Sequence, residues 1–131
     1  MFHFEEGEVF LIDKPLDWTS FDAVNLIRAV IKRYHGIRKL KVGHAGTLDP
    51  LATGLLIVCT GRMTKQIDNF QAQEKVYTGS MLLGQTTPTY DLESEPDAFY
   101  PTENITEEMM EEARKLFIGD IMQRPPKLSA I

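Results

Sequence analysis

Apolar and polar positions follow two different periods along this chain. Residues 8–13, Glu-Val-Phe-Leu-Ile-Asp, are a short apolar run bounded by acids and predict a strand. Residues 14–18 predict a loop, because Pro15 drives Lys14 away from helical backbone. A helical spacing then takes over. Phe21, Val24, Ile27, Ile31 and Tyr34 return every three or four residues and make one apolar face. Thr19 or Ser20 can cap that helix, and Gly36 is a stop behind it. Residues 40–42 predict a brief strand, and residues 55–60 a core strand. Periodicity alone does not separate a buried strand from a buried helix segment in the latter run.

Residues 61–66 predict a turn that opens a short helix, and residues 75–83 another strand. From 84 to 101 the chain is polar and turn-rich, with Pro88, Pro96 and Pro101. That is a surface loop of about 15 residues, long enough to carry function. Thr106, followed by Glu107 and Glu108, opens a second helix, whose apolar face is Met109, Met110, Ala113, Leu116 and Phe117. Gly119 ends it, and a short strand is expected toward Arg124-Pro125-Pro126. Strands and helices mix without regular βαβ alternation, so an α+β fold is favoured over a doubly wound one.

Between two of these elements lies the chain's most unusual stretch, Gly43-His44-Ala45-Gly46-Thr47-Leu48-Asp49-Pro50-Leu51-Ala52-Thr53-Gly54. Three glycines and a proline force a tight loop around one acid. The apolar run behind it anchors Asp49 beside the core, where a reactive group is well positioned. Taken alone, Asp49-Pro50 also suits an ordinary turn, and His44 a structural loop residue.

Composition narrows the classes. The chain has 131 residues, 43% hydrophobic and 25% charged, as in a soluble globular domain of one-domain length. The longest apolar runs fall far short of the ~20 residues of a membrane span. The N-terminus has no basic or signal-like stretch, so a cytoplasmic protein is expected. The single cysteine, Cys59, sits in the apolar run and is expected to be buried and inert. The net charge of −5 argues weakly against nucleic acid, but its distribution argues the other way. Residues 28–41 carry six cations and no acid and lead into the glycine loop, whereas acids gather between Asp91 and Glu112. Such a basic segment suits a polyanionic substrate, and equally a solvated helix face.

Several chemistries lack their motifs. The glycine loop does not end in Gly-Lys-Ser/Thr and misses the dinucleotide spacing. His3, His35 and His44 lie in different elements with no metal-binding spacing, so no metal is expected. No serine occupies a Gly-x-Ser-x-Gly elbow.

The block from Gly43 to Leu56 resembles the catalytic motif of the TruB family, the tRNA pseudouridine(55) synthases, in its bacterial form. Asp13-Lys14-Pro15-Leu16-Asp17-Trp18-Thr19-Ser20 is similar to the family's Asp-Lys-Pro-x-Gly-x-Thr-Ser motif, with Asp17 at the usual glycine. Lys75-Val76-Tyr77 matches a Lys-x-Tyr strand. Residues 123–131 match a Gln-x-Pro-Pro-x-Tyr-Ser-Ala segment, with Leu128 where tyrosine is common.

The resemblance implies a pseudouridine synthase-like α+β catalytic domain with a mixed, mainly antiparallel sheet and flanking helices. Its reaction detaches uracil from C1′, rotates it and rejoins it through C5, without a cofactor. Asp49 would be the nucleophile, attacking either C6 of the base or C1′ of the sugar. The target uridine, in the T-arm loop of tRNA, would be flipped out of its stack. Tyr77 would stack on the flipped base, and His44, Gly46 and Thr47 would line its pocket. Lys14 would meet phosphate or support the loop. Family members continue with an RNA-gripping insertion, a strand bearing an arginine that pairs with the aspartate, and usually a C-terminal RNA-binding domain. Residues 1–131 are therefore expected to be an N-terminal portion of the catalytic domain, inactive alone, with an exposed sheet edge that favours self-association. The alternatives are a non-catalytic RNA-binding module or, through the acids, a protein-interaction piece. Only the enzyme reading needs the Asp49 carboxylate.

Overall fold

Strand β1, Val9–Lys14, opens the fold of the computed structural model, which describes residues 2–122. Helix α1 spans Ser20–His35, β2 Val42–Ala45 and β3 Gly54–Thr60. The three strands make an antiparallel sheet in the order β1-β3-β2. A 3-10 helix, Gly61–Gln66, runs directly into α2, Ile67–Gln71. The α+β class expected from the sequence is the one found.

Register decides which side of the sheet is dry. Phe10 lies opposite Val58 and Ile12 opposite Leu56, so these four share one face. Val42 and the helix residues Ala23 and Val24 complete a buried cluster with Leu56 and Val58, and Ile27, Leu40 and Leu48 pack on it. The opposite face is partly uncovered: Leu11 and Leu55 keep 69% and 63% of their surface in solvent. Among the described residues, neither outer edge of this sheet is paired. Cys59 is fully buried, and burial pushes its thiol pKa up.

Helix α1 has well-defined ends. Thr19 caps it: its hydroxyl accepts from the Asp22 N–H at 3.1 Å, and the Asp22 carboxylate accepts from the Thr19 N–H at 2.9 Å. Gly36, at φ +70°, closes the other end through its N–H to the Lys32 carbonyl. The buried stripe is Ser20, Ala23, Val24 and Ile31, with Ile27 half-buried. Phe21 and Tyr34, expected on it, are exposed instead. Arg28 lies over the Phe21 ring and Arg33 over the Tyr34 ring, at 5.8 and 5.6 Å.

Where length alone suggests one unit, the chain falls into two, one ending at Val76 and one beginning at Tyr77. In the second, β4, Gln85–Thr86, pairs with β5, Ala98–Phe99, inside the stretch expected to be plain loop. Its turn is tied by hydroxyls: Thr86 Oγ1 donates to Asp97, and Thr87 Oγ1 to the Asp91 carbonyl. Helix α3, Glu107–Lys115, is capped by Thr106 as expected, yet its apolar face is exposed.

The strand expected at 75–83 is not formed. A strand needs a neighbour for its backbone groups, and no described strand pairs with this stretch. The strand expected toward Arg124 lies outside the described residues.

Candidate active site

The loop that carries Asp49 is shorter than its glycines suggest. Gly43, His44 and Ala45 belong to β2, so the irregular part begins at Gly46 and ends before Gly54. Gly43 serves packing rather than turning: a Cβ there would stand 2.9 Å from Ile67 Cδ1. Gly46 and Gly54 do turn the chain, at φ +97° and +128°.

Asp49 opens a tight turn in which the Ala52 N–H donates to the Asp49 carbonyl at 3.0 Å. Pro50 occupies the second position, where its fixed φ is favourable. The ordinary turn reading of Asp49-Pro50 is therefore true of the backbone, and it leaves the side chain free for chemistry. Asp49 is exposed, and the ion pairs found among the described residues do not include it.

The turn is held from both sides by the segment that links β1 to α1. The Asp17 N–H donates to the Pro50 carbonyl at 2.9 Å. Lys14 lies in β1 rather than in a loop, since the residue before a proline prefers extended backbone. Its ammonium donates to the carbonyls of Trp18 at 2.6 Å, Pro15 at 3.0 Å and Pro50 at 3.5 Å. The side chain is fully buried. Of the two roles open to Lys14, this geometry supports the loop-supporting one, since all three ammonium hydrogens have a carbonyl to meet. On the other side of Asp49, the Ser20 hydroxyl accepts from the Leu48 N–H at 2.9 Å and donates to the Leu48 carbonyl at 3.2 Å.

His44 and Gly46 are brought together, because the His44 Nδ1 contacts the Gly46 carbonyl. A carbonyl only accepts, so Nδ1 carries the proton of that bond. In the neutral ring Nε2 is then left as an acceptor. Thr47 is exposed beside them. Tyr77 belongs to the second unit and is 72% exposed. In the sequence, Ser20 reads as an alternative to Thr19 for the helix cap and as the end of the Asp13–Ser20 motif, without a role of its own. The signal for more was the Thr19-Ser20 pair itself: one hydroxyl suffices to cap a helix, and the other falls on the buried stripe.

At the far end of β2 and β3, four cations surround an open concavity of about 290 Å³. Lys39 and Lys41 come from the basic stretch, Arg62 and Lys65 from the 3-10 helix, and Glu5 also lines it. The Gly61 N–H, donating to the Lys41 carbonyl at 2.9 Å, ties the two segments together.

A family model described as TruB family pseudouridylate synthase (N terminal domain) matches residues 32–131. A protein of Phocaeicola vulgatus named tRNA pseudouridine synthase B is 59% identical over 128 residues, covering 98% of this chain and 54% of that protein. One of the same name from Parabacteroides distasonis is 58% identical over 127 residues, covering 97% and 54%. Another, from Chlorobaculum tepidum, is 49% identical over 127 residues, covering 97% and 52%. The chain spans about half the length of these curated relatives.

Proposed function

Because the chain belongs to the TruB family of pseudouridylate synthases, we propose that it carries the nucleophile-bearing part of an enzyme that isomerises a T-arm uridine of tRNA. The observation that carries this reading is the mounting of Asp49. It is an exposed carboxylate on a turn whose neighbours on both sides are hydrogen-bonded to the 14–20 segment. A group held in this way presents its oxygens to a substrate with little freedom left to lose.

In this mechanism the uridine leaves its stack, at a cost of a few kcal/mol, and enters the space before Asp49. The carboxylate attacks C1′ or C6, the N1–C1′ bond breaks, the base turns and C5 joins C1′; the bond to Asp49 is then released, the C5 proton passes to solvent and N1 takes up a proton. Tyr77 stacks on the flipped base, and such a contact is worth about 1–3 kcal/mol, enough to offset the unstacking. His44, Gly46 and Thr47 form the side of the pocket nearest the loop. No cofactor or metal takes part.

The basic concavity supports RNA as the substrate. Six residue steps of β3, at about 3.3 Å each, separate it from the loop end of the sheet, so one RNA touching both spans roughly 20 Å. The enzyme works in the cytoplasm, where tRNA is. The uncovered sheet face around Leu11 and Leu55 favours self-association of the 131-residue chain. Sedimentation should show mass rising with concentration, and a constant monomer mass would count against it.

The test of substrate and position is direct. A tRNA transcript incubated with the full-length gene product should gain pseudouridine at one T-loop uridine, mapped by chemical labelling and reverse-transcription stops. Modification elsewhere, or none, would contradict the reading.

A further inference from the structure

We propose that Ser20 is a positioning residue for the Asp49 carboxylate, an inference that rests on the reading of Asp49 as nucleophile. Three successive carbonyls around that residue are each held. The Leu48 carbonyl accepts from Ser20 Oγ, the Asp49 carbonyl from the Ala52 N–H, and the Pro50 carbonyl from the Asp17 N–H. With the peptide planes before and after Asp49 pinned, its main chain has one arrangement, and only the two side-chain torsions remain to be set.

Ser20 does more than any one of the other contacts. Its single hydroxyl engages both the N–H and the C=O of Leu48, the two bonds that an antiparallel strand partner makes to one residue. A hydroxyl can do this because it donates and accepts at once. It does so from a rigid base. Ser20 stands in the first turn of α1, on the buried stripe, with 3% of its surface exposed. Thr19 performs the capping, so the Ser20 hydroxyl is not spent on its own helix. The helix packed under the sheet thus sets the height of the residue that precedes the nucleophile. Removing the hydroxyl frees Leu48, and with it the Asp49 backbone, while the cations of the basic concavity, at the other end of the sheet, are untouched.

Displacing a reacting group by about 1 Å can lower turnover about 100-fold. The experiment measures kcat and KM of the full-length gene product on a T-arm stem-loop, for Ser20→Ala beside wild type. Rates are normalised to folded protein by far-UV circular dichroism and taken well below the melting midpoint. The expected result is a kcat lowered about 10- to 100-fold with KM within about threefold, since the cations that would grip the RNA lie away from the freed turn. Ser20→Cys, which keeps the shape and weakens both bonds, covers the case in which Ser20→Ala does not fold, and should also lose kcat. A kcat within about threefold of wild type in either folded variant, or a loss carried by KM alone, overturns the proposal. Asp49→Asn, run alongside, separates the two readings. Normal turnover there removes the nucleophile assignment, and Ser20's role with it. An inactive Asp49→Asn beside a normal Ser20→Ala removes only the positioning role.

Discussion

Lys14 Nζ lies 2.6 Å from the Trp18 carbonyl oxygen, at the tip of a side chain with no exposed surface. An ammonium is costly to bury unless its hydrogens are matched, and here the carbonyls of Pro15, Trp18 and Pro50 receive them. One flexible stem thereby fastens the β1–α1 link to the turn that bears Asp49.

Lys14→Met keeps most of that stem and removes the donors. Leaving buried carbonyls unmatched should lower stability by about 1–3 kcal/mol, seen as a lower urea midpoint of the full-length gene product. RNA affinity measured on the folded variant should change little. The opposite pattern, an unchanged midpoint with weakened RNA binding, would return Lys14 to phosphate contact.

Asp17 adopts φ +62° while its N–H holds the Pro50 carbonyl. Glycine visits that region without a Cβ penalty, and aspartate only with one. Asp17→Gly should therefore raise stability, by about 0.5–1 kcal/mol, as a higher urea midpoint at unchanged slope. Asp17→Ala, which lacks both the freedom and the polar side chain, should not. Destabilisation by glycine would mean the side chain matters more than the backbone angle.

The capping box of α1 makes a pH prediction. Hydrogen bonds from the Thr19 hydroxyl and N–H hold the Asp22 carboxyl below its ordinary value of 3.8. A depressed folded value means the contribution is complete above the unfolded value and fades as pH falls through the folded one. Asp22→Asn should thus cost stability at pH 6 and lose less than wild type on acidification below 3.8. Equal acid losses in both proteins would refute the assignment, since the remaining carboxylates are common to them.

The cations around the basic concavity should act on affinity and not on chemistry. Lys39→Gln and Arg62→Gln should each weaken RNA binding, and reduce its salt slope by about 0.7–0.9 if one phosphate contact is lost. Turnover at saturating RNA should hold. A loss of kcat with unchanged salt slope would place these side chains elsewhere in the reaction.

The sequence made the first unit readable because its signals are local. The spacing of Val24, Ile27 and Ile31, the Thr19 cap and the Gly36 stop all concern neighbours on one helix. The turn at Gly46, Asp49 and Pro50 is equally visible. What escaped depends on partners distant in sequence. Gly43 looked like a turn residue because the approach of Ile67 is not written near it. Lys14 stayed open between phosphate contact and loop support because its carbonyl partners include one 36 residues away. Ser20 reads as one of two possible caps because Leu48 is 28 residues away. The stretch at 75–83 shows the converse: its apolar content suggests a strand, but no described strand pairs with it.

The measurement closest to the central claim is release of tritium from C5-labelled uridine in a T-arm stem-loop, by the full-length gene product and its Asp49→Asn variant. The change keeps the size of the side chain and removes its negative charge and nucleophilicity. The account predicts release by the wild type and none by the variant, with RNA affinity within a few-fold. Release by Asp49→Asn at the wild-type rate would contradict it.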